Sequence, residues 1–139
     1  MSTLFSVFNT SASALTAQSV RLNTVASNLA NANTAASSPE ETYKSKQVLF
    51  QTLLDRSDPT GAARPVRVAD IVDSTAEPIP TFEPNHPQAN EEGYVFRPAI
   101  SVVEEMANMM SASRSYEANV EVMNTSRQLL QRTLRIGQS

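Results

Sequence analysis

Cysteine is absent from the 139 residues, which removes disulfides and thiol chemistry and leaves the chain indifferent to redox conditions. Three glycines are too few for a Gly-rich phosphate cradle or a dinucleotide fingerprint. No run of about 18 apolar residues is present, so the sequence predicts no membrane span. A net charge of −3 without a Lys/Arg cluster leaves out the electrostatic footprint of a nucleic-acid binder. The start lacks the basic segment, apolar core and cleavage site of a secretory signal. Hydrophobic residues make up 40%, low for a self-sufficient globule and well above a disordered tail.

Proline is unevenly placed. All eight lie between Pro39 and Pro98, so both ends are free to form long helices and the middle is not. The reading is a mainly α chain with a small β-rich insert. Residues 1–36 form an N-terminal coiled-coil helix, 37–98 the insert with a proline-rich loop, and 99–139 a C-terminal coiled-coil helix.

In the first segment Phe8, Leu15, Leu22 and Leu29 recur every seven residues, a ridge along one side of a helix. The companion seam, Leu4, Ser11, Gln18 and Val25, is half polar, and Ala12, Ser19 and Ala26 flank the ridge with small side chains. Only Arg21 is charged before Pro39, whereas a solvated helix normally carries a charged outer face. Several sides of this helix are expected to meet protein, too weakly for it to fold alone.

The last segment repeats the pattern in steps of three and four: Val102, Met106, Met109, Ser113, Tyr116, Val120, Met123, Arg127, Leu130 and Leu134. That run suits a helix on the order of 50 Å long. Its acids (Glu104, Glu105, Glu117, Glu121) lie early and its arginines (Arg127, Arg132, Arg135) late, as the helix dipole favours. Gly137 supplies a stop. The two helices are expected to pair as an antiparallel coiled coil through their apolar ridges.

Between them, "VLFQTLL" and "VRVADIV" read as strands joined by the turn "DPTGAARP". "PIPTFEPNHPQANEEGYVFRP" reads as an irregular loop with a short extended exit at Tyr94 to Phe96. His86, the single histidine, lacks Cys, His or convergent carboxylate partners and reads as structural. The pairs Glu91/Glu92 and Glu104/Glu105 point in different directions and suit a solvated turn and a helix start. No catalytic, cofactor or metal residue is assigned, and no cofactor is expected. The methionines Met106, Met109, Met110 and Met123 suit an adaptable interface with non-identical neighbours.

"SNLANANT", Ser27 to Thr34, holds three asparagines among alanines. Asn31 or Asn33 can end the helix, because asparagine tolerates the left-handed conformation. The remaining amides, Asn28 among them, are then free to pair with exposed backbone, and the sequence leaves open whether that backbone belongs to a neighbouring chain or to their own.

This stretch at the end of an apolar N-terminal helix resembles the flagellar axial proteins, the rod, hook and hook-associated subunits. "EPNHPQANEEGYVFRP" followed by "VVEEMANMMSASRSYEANVEVMNTSRQLLQRTLRIGQ" narrows the resemblance to the proximal-rod subunits of the bacterial flagellar basal body, over nearly the whole chain. One departure is visible. Where that family tends to read "PNV" after the GYV strand, this chain has "PAI" at Pro98 to Ile100, leaving Ser101 to cap the C-terminal helix.

The resemblance implies a structural subunit of the tubular drive shaft, without enzymatic activity, whose helices order around the export channel while the insert faces outward. It implies export by the flagellar type III apparatus as an unfolded chain without a cleaved signal peptide. The implied partners are further copies of itself, other rod proteins, the adaptor between the MS ring and the rod, and the next rod segment. The implied location is the periplasm-spanning rod of the basal body. The assembly interface would comprise the ridges Phe8, Leu15, Leu22, Leu29 and Val102, Met106, Met109, Tyr116, Val120, Met123, Leu130, Leu134. Asn28, Asn31, Asn33 and Thr34 would join it. The rival reading from the residues alone is a soluble coiled-coil binding module that presents the insert to a ligand.

Overall fold

The computed structural model describes residues 2–53 and 64–137. Its elements run α1 (Ser2–Asn31), β1 (Lys46–Thr52), β2 (Val66–Asp73), β3 (Ile79–Phe82), β4 (Tyr94–Arg97) and α2 (Val102–Ile136). The expected turn "DPTGAARP" lies mostly outside the described residues. At 1.5 Å per residue the helices are about 45 and 52 Å long.

α1 and α2 pack against each other. The positions of α1 buried most deeply are Ser11, Ala17, Thr24, Val25 and Asn28, and those of α2 are Ala112 and Ser126. Of the expected ridges, Phe8, Leu15, Leu22 and Leu29 are half-buried, as are Met109, Val120, Met123 and Leu130. Ser19 and Ala26, expected beside the contact, face outward. A hydroxyl on the buried line stays satisfied by bonding within its own helix: Thr24 Oγ1 donates to the Val20 carbonyl at 3.0 Å.

β1 and β2 form an antiparallel ribbon whose register shifts between Leu49 and Phe50, leaving Ala69 as an extra residue. The shift places Ile71 opposite Val48, so Val48, Phe50, Val66, Val68 and Ile71 share one face. The ribbon lies along α1, anchored at one end by Asn28 on Lys46 and at the other by Ser13, whose Oγ accepts the Val66 N–H at 3.0 Å. Fifteen residues of helix and seven of strand each span about 22 Å, so the two anchors match in length.

The proline-rich stretch is more regular than expected. β3 pairs with β4 in antiparallel register, with Pro80 opposite Phe96. The pairing is possible because Phe96 turns its N–H and C=O the other way, to Ala36, at 2.9 Å each. Pro80 therefore occupies a position where no ladder hydrogen bond is required. The loop before β4 closes on Gly93, the one positive-φ residue among those described, at 82°. A Cβ there would meet Phe82 Cε2 at 2.9 Å and Pro84 Cβ at 3.2 Å, so both the backbone and the space require glycine.

Ser101 caps α2 as expected, its side chain accepting the Glu104 N–H. Gly137 ends α2 in the right-handed region, through its N–H to the Thr133 carbonyl and not through a left-handed turn.

Candidate assembly interface

Asn28 answers the question raised by the asparagine-rich stretch. Its side chain is 2% exposed. Nδ2 donates to the Lys46 carbonyl at 2.9 Å and to Glu105 Oε2 at 3.1 Å. Oδ1 accepts the Lys46 N–H at 2.9 Å and the Tyr43 hydroxyl at 3.0 Å. The carboxamide thus stands in for a neighbouring strand, matching both backbone groups of Lys46, while it also reaches α2. Asparagine supplies two donors and an acceptor in one plane; aspartate lacks the donors. Of the two alternatives the sequence leaves open, own chain or neighbour, the Asn28 amide takes the first and is engaged within its own chain.

The other asparagines act locally. α1 ends at Asn31, but among the described residues no residue other than glycine has a positive φ, so the expected left-handed stop is not used. Asn31 Nδ2 donates back to the Ser27 carbonyl. Both the backbone N–H and the hydroxyl of Thr34 donate to the Asn31 carbonyl, which closes the helix end. The Asn33 carbonyl accepts from Arg97, whose other nitrogen pairs with Glu83 at 3.0 Å. Arg97, at the end of β4, thus ties the exit of α1 to Glu83 just after β3. Asn33 and Thr34 remain exposed.

Tyr43 and Lys46 flank this junction. Burial, reinforced by Asp73 and Glu105 and opposed by Lys46, raises the Tyr43 hydroxyl above its ordinary value of 10.0. The hydrogen bond and charge of Asp73 raise the Lys46 ammonium above 10.5. Tyr43, Lys46 and Arg97 were not singled out from the sequence, and Glu105 was read only as part of a helix start. They are common residue types without a motif, and only tertiary proximity marks them.

His86 is structural in its placement. Its Nδ1 accepts the Gln88 N–H at 3.0 Å, which organises the loop before Asn90. Asn90 Oδ1 in turn accepts the N–H groups of Glu92 and Tyr94. Among the described residues no group of three His, Asp or Glu could hold a metal ion, and no helix is long and apolar enough to cross a membrane.

What the chain leaves uncovered is extensive. Its accessible surface is 9592 Å², against about 7,100 Å² for a compact monomer of 15.1 kDa. The buried apolar side chains among the described residues are Ala17, Val25, Ala32, Val95 and Ala112, none larger than valine. On α2, Val103 (79% exposed), Met106 (54%) and Met110 (58%) form an open stripe at helical spacing. Val102, Tyr116 and Leu134 of the expected ridge are also exposed. A surface of this kind belongs to a protomer that is completed by neighbours.

Small cores, long terminal helices and uncovered apolar flanks define a structural assembly subunit, and the comparisons specify which kind. Residues 8–35 match the family described as flagella basal body rod protein, and residues 91–136 match the flagellar basal body rod FlgEFG protein C-terminal family. The chain is 47% identical to the flagellar basal-body rod protein FlgC of Escherichia coli O157:H7, over 97% of this chain and 98% of that one. It is 46% identical to FlgC of Yersinia enterocolitica, with the same coverage. With FlgC of Bacillus subtilis strain 168 it shares 36% over 97% of this chain and 99% of the other. The chain belongs to the FlgC family of flagellar basal-body rod proteins. It is a structural subunit of the rod, and the binding-module reading falls away.

Proposed function

We propose that this subunit builds the proximal part of the rod, its two helices forming an antiparallel coiled coil that orders as neighbours cover it around the export channel. The observation that carries this reading is the mismatch between long helices and a core of small side chains. The antiparallel sense is supported by two contacts: Asn28 meets Glu105, whereas the earlier Arg21 meets the later Asn108. Residues 1–36 and 99–139 act as the assembling layer and 37–98 as the outward insert. Neighbours bury the flanks that carry Phe8, Leu15, Leu22, Leu29, Met106, Met109, Tyr116, Val120, Met123, Leu130 and Leu134, and so couple folding to assembly. Asn31, Asn33 and Thr34 border the same surface, and Asn28 supports it from inside.

A chain that orders only on arrival suits passage as an unfolded polypeptide through the flagellar type III export apparatus. Its partners in this reading are its own copies, other rod proteins, the adaptor to the MS ring and the next rod segment. The test is to isolate hook–basal bodies and probe for the chain by mass spectrometry, before and after the hook is removed. Retention in the ring-and-rod fraction supports a proximal position; loss together with the hook contradicts it.

A further inference from the structure

We propose that Gln18 is a built-in weak point of α1, whose buried and unpaired amide oxygen keeps the packing of this helix close to the folding threshold in the free chain. The inference rests on the reading that folding is coupled to assembly, and it assigns part of that coupling to one side chain.

Every seventh residue from Ser11 falls on the inner side of α1. Ser11 and Val25 are each 5% exposed, and Ala32, just past the helix end, is 7% exposed. Gln18 stands in the same line between Ser11 and Val25 and is half-buried. Seven residues are close to two turns of helix, so these side chains form one seam. Gln18 is the longest of them. It lies between two anchors of α1: Ser13 accepts the Val66 N–H of β2, and Arg21 donates to Asn108 of α2.

The Gln18 Oε1 atom is enclosed and accepts no hydrogen bond, alone in this among the side-chain oxygens and nitrogens of the described residues. Other polar side chains on the inner side are provided for. Thr24 bonds back to the Val20 carbonyl, and the Asn28 amide makes four hydrogen bonds. In water the Gln18 oxygen has donors; packed against the fold it has lost them, and a buried acceptor left unmet is destabilising. A polar residue in the seam of a helix pair lowers its stability in just this way.

Helix propensity does not require glutamine here. Methionine has a similar length, no branch and a similar propensity, and it would fill the seam without an orphaned oxygen. The polar end therefore weakens tertiary packing while leaving the helix itself unaffected. In a chain that passes unfolded through an export channel, such a weakness keeps α1 from locking before its neighbours are in place.

The test is Gln18→Met in the full-length purified chain, followed by far-ultraviolet circular dichroism in urea. The folded-to-unfolded ratio of the helices should rise roughly five- to tenfold. Where the wild-type helices are already unfolded without urea, the same gain appears as added helix signal. Ser19→Met is the control: it places the same side chain one residue on, at an exposed position, and should change the ratio less than about twofold. In cells the Gln18→Met chain should be secreted more slowly than the wild type. An unchanged or lower ratio in Gln18→Met overturns the proposal, as does an equal gain from Ser19→Met. Wild-type secretion of a chain shown to be stabilised would overturn the role in transit. None of these outcomes touches the rod assignment, which fails only if the wild-type chain is missing from isolated basal bodies.

Discussion

Asn28 concentrates more of the fold than any other single residue. It joins α1 to β1 and to α2 through one buried carboxamide. Asn28→Asp removes both donated bonds and sets a second carboxylate against Glu105. Unmet buried groups cost about 1–3 kcal/mol each, so a fall of about 2–4 kcal/mol is expected in the urea unfolding of the insert, followed by the near-UV signal of Tyr43. An unchanged midpoint would remove Asn28 from this role. The same junction responds to alkali. Tyr43 and Lys46 hold their protons more tightly in the folded chain, so each contributes stability that is complete below its unfolded pKa, about 10. That stability is lost as pH rises through the higher folded value. Tyr43 should therefore ionise above 10.0 by its phenolate absorbance, and Asn28→Ala should move it back toward that value. The sequence marked Asn28 as unusual but left open whether it meets its own chain or a neighbour. Its partners at Lys46 and Glu105 lie 18 and 77 positions away, and no local pattern encodes such a meeting.

At the scale of elements, the helices and the first ribbon were legible because their evidence is periodic: heptads bounded by prolines, and runs of β-branched residues. β3 was missed because Pro80 demotes a run as a strand candidate, unless the strand opposite turns its hydrogen bonds elsewhere, as Phe96 does toward Ala36. The half-polar companion seam was legible in part, since Ser11 and Val25 are buried, whereas Ala17, Ala112 and Ser126 are buried without standing out in a search for large apolar residues. Two substitutions test the local devices. Gly93→Ala forces a side chain into a positive-φ position 2.9 Å from Phe82, and a loss of at least about 1 kcal/mol in insert stability is expected. Ser101→Ala removes the cap of α2 and should cost about 1 kcal/mol of α2 stability, visible as reduced protection of the Glu104 amide.

For the whole molecule, the surface left bare is the decisive quantity. In the proposed assembly, a chain with some 2,500 Å² more exposed surface than a compact protomer leaves that surface for its neighbours to cover. Leu22→Asp and Met109→Asp place a charge on the half-buried flanks of the helix pair. Each should leave export of the chain unchanged and abolish its incorporation into rods, scored by secreted protein against basal-body content. Normal rods containing either variant would count against those flanks as interface. The most direct measurement is hydrogen exchange of the α1 and α2 amides, compared between the purified chain and isolated basal bodies. Ordering on assembly requires rapid exchange along both helices in the free chain and strong protection in the rod. Equal protection in the two states would show a helix pair already folded before assembly, and would contradict the coupling.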